Sequence, residues 1–179
     1  MKYLRSFGLI LSILLLPGIS TAQNPVDLEL QSATDTSHFI LSKVEENFVA
    51  LHFLLKTECP RCLRHTNDFI TRSKELPDVR QIFLKPDSDQ DIAAWAEKLI
   101  PAEEDKYPIY RDPEAQLAKQ FNVSFGYHFH GQIVHYPAFI LLDKNGKEIF
   151  RYVGKDNADR FSFDQLIAKM EEISDAKSR

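Results

Sequence analysis

Residues 48–55 read Phe-Val-Ala-Leu-His-Phe-Leu-Leu, apolar at every position but one. A short run that is apolar on both parities suits a strand buried on both faces, so the sheet that holds it must be covered on both sides. The run at 138–142, Ala-Phe-Ile-Leu-Leu, makes the same demand. Around these two strands the chain alternates. Strands are expected at 38–44, 79–84 and 108–110, and helices at 60–75, 91–100 and from Asp112-Pro113 to Phe121. Asp143-Lys144-Asn145-Gly146 predicts a hairpin turn into a strand at 148–153. Ser162 and Gln165 form a capping box ahead of a last helix that carries Phe163, Leu166, Ile167, Met170 and Ile173. The pattern β-β-α-β-α-β-α-β-β-α is an α/β fold, a central mixed sheet with helices on both faces, in one domain over 36–179.

The first 22 residues stand apart from that pattern. Lys2 and Arg5 precede an apolar stretch from Phe7 to Leu16, Pro17-Gly18 breaks it, and Ser20-Thr21-Ala22 offers a small-residue cleavage site. This is the layout of a secretory signal peptide, too short in its apolar part for a membrane span of ~20 residues. Residues 23–35 are polar and read as a flexible segment. The chain is therefore expected to be periplasmic or secreted, with no stable membrane insertion after cleavage, in a compartment where disulfides form. A net charge of −4 leaves no basic field to hold a nucleic acid.

Both cysteines of the chain lie in Cys59-Pro60-Arg61-Cys62, between the buried strand and the start of a helix. A helix N-terminus presents unpaired N–H groups and partial positive charge, which stabilise a thiolate. Cys59 is thus the expected nucleophile. Arg61 is expected to lower its pKa further and Glu58 to raise it. Cys62 is spaced to resolve a mixed disulfide. A static disulfide closing so short a loop would stabilise little, and half of a zinc site would need a second such motif.

These residues, together with His135-Tyr136-Pro137-Ala138-Phe139 and the 143–146 turn, resemble the thioredoxin superfamily. In that family a cis-proline opens the strand facing the cysteine pair, and Pro137 matches its place, with Tyr136 beside it as a substrate-docking residue. The extra strand and helix over 108–121 resemble the insertion of the redoxin branch, the TlpA/ResA-like and AhpC/TSA-type proteins. The resemblance implies an exported thiol–disulfide oxidoreductase with no organic cofactor, acting on exported protein thiols or disulfides and recycled by a redox partner.

Two alternatives stay open. A peroxiredoxin-like peroxidase would share the fold, but Lys56 and His52 stand where that family's Thr and Pro belong, and Pro137 stands near the place of its Arg. A Sco-like copper chaperone would bind Cu(I) with both thiolates and an imidazole from His128, His130 or His135. His135 lies eight residues before Asp143, as in that family, whose cysteines are however one residue further apart. Phe125, Tyr127, Phe129 and Tyr136 are candidates for an apolar docking surface, and His65 reads as a helix-face residue.

Overall fold

The computed structural model describes residues 28–56, 59–99 and 107–177. The leader read over 1–22 lies outside them, as do Thr57 and Glu58. Nine strands are described: β1 (Glu29–Gln31), β2 (His38–Ile40), β3 (Phe48–Phe53), β4 (Val79–Lys85), β5 (Ile109–Arg111), β6 (Phe125–Phe129), β7 (Gln132–His135), β8 (Ala138–Asp143) and β9 (Glu148–Val153). Four helices accompany them: α1 (Pro60–Arg72), α2 (Asp89–Ala96), α3 (Gln116–Gln120) and α4 (Phe163–Lys177). None of the described helices is long and apolar enough to cross a membrane.

The central sheet runs β5-β4-β3-β8-β9. β3 pairs parallel with β4 and antiparallel with β8, so the sheet is mixed. β3 is buried at all six positions, as its composition demands. Alternate side chains enter two cores. Ala50 packs with Phe69 of α1 and Phe163 of α4; Val49, Leu51 and Phe53 pack on the other face with Leu117 and Phe121. Burying such side chains contributes roughly 1.5–3 kcal/mol each, which is why the run at 48–55 specifies the architecture so strongly. The resemblance implied this layout, including β5 and α3 as the additional strand and helix.

Several local expectations are corrected. The segment read as a tether over 23–35 carries β1, paired antiparallel with β2. Leu28 and Leu30 are buried in the second core, so a polar-looking stretch is anchored by two leucines. Asp112 does not cap a helix directly. Its carboxylate accepts the N–H groups of Leu117 and Ala118, across a 3-10 turn in which Glu114 and Ala115 are left-handed. The hairpin β6–β7 was not anticipated. Its two-residue turn, His130-Gly131, has positive φ at both positions (46° and 75°), as tight hairpin turns require. The capping box is realised: Ser162 N–H donates to Gln165 Oε1 at 2.8 Å and Gln165 N–H to Ser162 Oγ at 3.3 Å.

Candidate functional site: a buried thiol pair under an arginine

The motif sits where a buried strand hands the chain to a helix. Pro60 occupies the first helical position, where its missing N–H costs nothing. Cys59 is the N-cap, with extended backbone (φ −86°, ψ 101°), and its sulfur accepts the Cys62 N–H at 3.1 Å. Thus one of the orphan donors of the first helical turn is spent on the sulfur. Both cysteines are free thiols and both are 0% exposed.

The loop between β9 and α4 closes over them. Cys59 S–H donates to Asn157 Oδ1 at 3.0 Å. Arg160 Nη2 reaches Cys62 Sγ at 3.2 Å, Cys59 Sγ at 3.4 Å and Asn157 Oδ1 at 2.7 Å. Arg160 Nε also donates to the Asn157 carbonyl at 3.0 Å, so the guanidinium is held twice by one residue. The loop is tied down at both ends. Gly154 N–H donates to the Pro137 carbonyl at 2.9 Å, and Phe161 packs between Phe139, Phe150 and Tyr152. In its middle, Asn157 N–H donates to the Tyr127 hydroxyl of β6 at 3.1 Å.

A second cation lies on the sheet side. Lys85 is 0% exposed at the end of β4; its ammonium donates to Leu55 O at 2.6 Å and lies 3.7 Å from the Asp87 carboxylate. Cys62 Sγ lies 3.9 Å from the same Leu55 carbonyl oxygen. Burial pulls the Lys85 pKa down, while the sulfurs and Asp87 hold it up.

These surroundings separate the two thiols. Cys59 is lowered to about 6, first by the Cys62 thiol as a hydrogen-bond donor, then by Arg160, the Cys62 N–H and Lys85, against the opposing effect of burial. Burial pushes Cys62 well above the ordinary thiol value, and donation to Cys59 raises it further. One sulfur is poised as a nucleophile at neutral pH and the other is kept protonated.

The expected roles divide accordingly. Cys59 and Cys62 are together, in the expected relation. Arg61 is not the tuning charge: its side chain is exposed on α1, and the cations that act on the sulfurs are Arg160 and Lys85. Tyr136 is half-buried, with its N–H on the Ser124 carbonyl at 2.8 Å and its ring 5.3 Å from that of Tyr127. Pro137 opens β8 but not through a cis bond, since the described residues contain no cis peptide. Trans is favoured intrinsically by ~0.5–1 kcal/mol. The Tyr136 N–H and the Pro137 carbonyl are both engaged in that geometry. Pro137 and Arg160 line one small, nearly water-sized cavity with His65, Leu54, Ala138 and Phe161, among others.

The histidines fall elsewhere. His128 and His130 are exposed on the β6–β7 hairpin. His135 is buried and its Nδ1–H donates to the Tyr136 carbonyl at 2.7 Å. No group of three His, Cys, Asp or Glu among the described residues is placed to share a metal ion. Of the candidate docking aromatics, Phe129 is core, while Phe125 is 60% exposed.

His52 and His65 form a pair that sequence reasoning did not find. His52 Nε2 donates to Gln81 Oε1 at 2.8 Å, so in a neutral ring its Nδ1 accepts from His65 Nε2–H at 2.9 Å. Burial lowers His52 to about 4 and His65 well below the usual imidazole value.

Comparison with known proteins places the family and the fold. A family model described as Redoxin matches residues 19–167. No curated protein matches the chain in sequence. Among solved structures, the exposed lipoprotein thioredoxin of Streptococcus pneumoniae superposes with a TM-score of 0.61 at 22% identity, over 82% of this chain and 98% of that one. Enterococcus faecalis AhpC gives 0.63 at 17% identity, over 84% and 89%. The peroxidoxin BcpB of Mycobacterium tuberculosis gives 0.59 at 21% identity, over 79% and 87%. At these identities the likeness establishes the thioredoxin-like fold.

Proposed function

The chain belongs to the Redoxin family, and on that premise we propose that it is an exported thiol–disulfide oxidoreductase working through Cys59 and Cys62. The observation that carries this reading is the asymmetry of the pair: one sulfur held as a thiolate by donors and cations, its neighbour held as a thiol by burial. Exchange needs that division. Cys59 thiolate attacks a substrate disulfide, forming one S–S bond and releasing a substrate thiolate that takes a proton from water. Cys62, once deprotonated, attacks Cys59 Sγ, forms the internal disulfide and releases the second substrate thiolate. The dithiol has lost two electrons and the substrate disulfide has gained them. A dithiol reductant in the same compartment would reset the pair. Tyr136 and Pro137, beside the loop that covers the sulfurs, would seat the substrate chain. Export rests on the leader pattern of residues 1–22.

One observation favours a second reading, hydroperoxide reduction. Cys59 is fully covered, which suits a small oxidant better than a protein disulfide, and a guanidinium stands at the sulfur to polarise it. Reduction of insulin disulfides by the reduced protein, run beside consumption of hydrogen peroxide, separates the two. Insulin reduction at a rate well above that of free dithiol supports exchange. Rapid peroxide consumption without it supports the peroxidase.

A further inference from the structure

Arg160 Nη2 carries two hydrogens and faces three acceptors: Asn157 Oδ1 at 2.7 Å, Cys62 Sγ at 3.2 Å and Cys59 Sγ at 3.4 Å. The short contact to Asn157 takes one hydrogen. The other is shared between the sulfurs. We propose that Arg160 is a catalytic residue for both halves of the exchange, its shared N–H moving from Cys59 to Cys62 as the negative charge moves. This rests on the thiol–disulfide reading above.

The chemistry requires such a group at the second step more than at the first. Before attack the charge is on Cys59, which already has the Cys62 N–H at 3.1 Å. After attack Cys59 is a neutral mixed disulfide, and the proton of Cys62 must leave to water. The Cys62 thiolate then forms in a site with no exposure to solvent, where an unpaired charge is costly. The charged groups that face it are Arg160 from the β9–α4 loop and Lys85 from β4, the latter already paired with Leu55 O and close to Asp87. His65 on the next turn of α1 is neutral. Arg160 is the cation whose N–H lies within hydrogen-bond reach of the Cys62 sulfur, at 3.2 Å, whereas Lys85 donates to Leu55 O. A guanidinium stays charged throughout the working pH range. The double hold by Asn157 keeps the fork in place while the charge moves beneath it.

The test resolves the two steps with one probe, an aromatic disulfide whose released thiolate absorbs visible light. Mixed with reduced protein, it gives one equivalent on formation of the Cys59 mixed disulfide and a second on resolution by Cys62. Arg160→Gln is expected to slow the second phase about tenfold or more, the scale of a lost charged hydrogen bond, and the first phase less, because lower thiolate content is partly offset by higher nucleophilicity. The pH profile of the second phase should shift upward in the same variant. Arg160→Lys keeps the charge and loses the fork, and should recover the first phase better than the second. Unfolding midpoints identify any variant that has lost its fold, and Asn157→Ala, which frees the fork without touching its charge, then supplies the same readout. A second phase as fast as wild type in folded Arg160→Gln overturns the proposal. A wild-type protein that yields no second equivalent overturns the thiol–disulfide reading itself, and the proposal with it.

Discussion

Arg160 and Cys62 stand 98 positions apart in the chain, and in the fold the guanidinium Nη2 lies 3.2 Å from the sulfur. The helix supplies the sulfurs and one N–H; the loop before the last helix supplies the cation. Asn157 links the two, since it accepts from both Cys59 and Arg160. Asn157→Ala would both release the fork and remove an acceptor that favours the Cys59 thiol, so the clean variant is Arg160→Gln, which should raise the Cys59 pKa from about 6 by roughly one unit, the worth of a charged hydrogen bond of ~1.5 kcal/mol. Thiol alkylation rate against pH reads this directly.

Cys62→Ser should accumulate mixed disulfides with exported proteins, because the intermediate has no resolving sulfur. Cys59→Ser should accumulate none, its remaining thiol being buried and held protonated. Non-reducing gels of tagged variants, with bound proteins released by reductant, distinguish the outcomes. Equal trapping by both variants would reverse or erase the assigned roles.

Gly154 is the hinge point at which the covering loop leaves β9. A Cβ there would lie 2.0 Å from the Asp159 carbonyl oxygen and 3.1 Å from Pro137 Cγ. Gly154→Ala should push the loop outward, cost about 1–3 kcal/mol of stability and raise the Cys59 pKa as Arg160 moves away. Denaturant unfolding and thiol titration of the one variant measure both. Loss of stability with an unchanged titration would separate the loop from the sulfurs.

The buried His52 and the half-buried His65 make the fold sensitive to acid. Both are neutral in the fold, whereas the unfolded chain takes up protons below ~6.5. Their stability contribution is complete above that value and is lost as pH falls toward the folded value, about 4 for His52. For His52 alone this amounts to about 3 kcal/mol. Unfolding of the Cys59→Ser/Cys62→Ser protein between pH 7 and 4 isolates the effect from the thiols. His52→Phe, whose ring would lie among Phe69, Phe83 and Phe139, should flatten the profile, even though Gln81 loses a partner.

The architecture was legible because its strongest signals are local. Apolar runs on both parities, the Ser162–Gln165 capping box and an Asn-Gly turn each act through near neighbours. The cysteine pair was legible for the same reason. Arg160 was not. It lies in Lys155-Asp156-Asn157-Ala158-Asp159-Arg160, which reads as a solvated turn, and only the closure of that loop between Gly154 and Phe161 delivers it to the sulfurs. Arg61, which lies between the two cysteines in sequence, is exposed because helix geometry turns it outward. The β6–β7 hairpin was missed although Gly131 and the alternating Phe125, Tyr127 and Phe129 mark it. The cis form of Pro137 was expected from alignment alone, and no local feature of the chain called for it.

The division of labour between the two sulfurs is tested most directly by thiolate absorbance of the reduced protein as a function of pH. Two separate steps are predicted: one equivalent titrating near 6, absent from Cys59→Ser, and a second that appears only well above the ordinary thiol range. Two equivalents titrating together near ~8.5, the value of a free cysteine, would contradict the account.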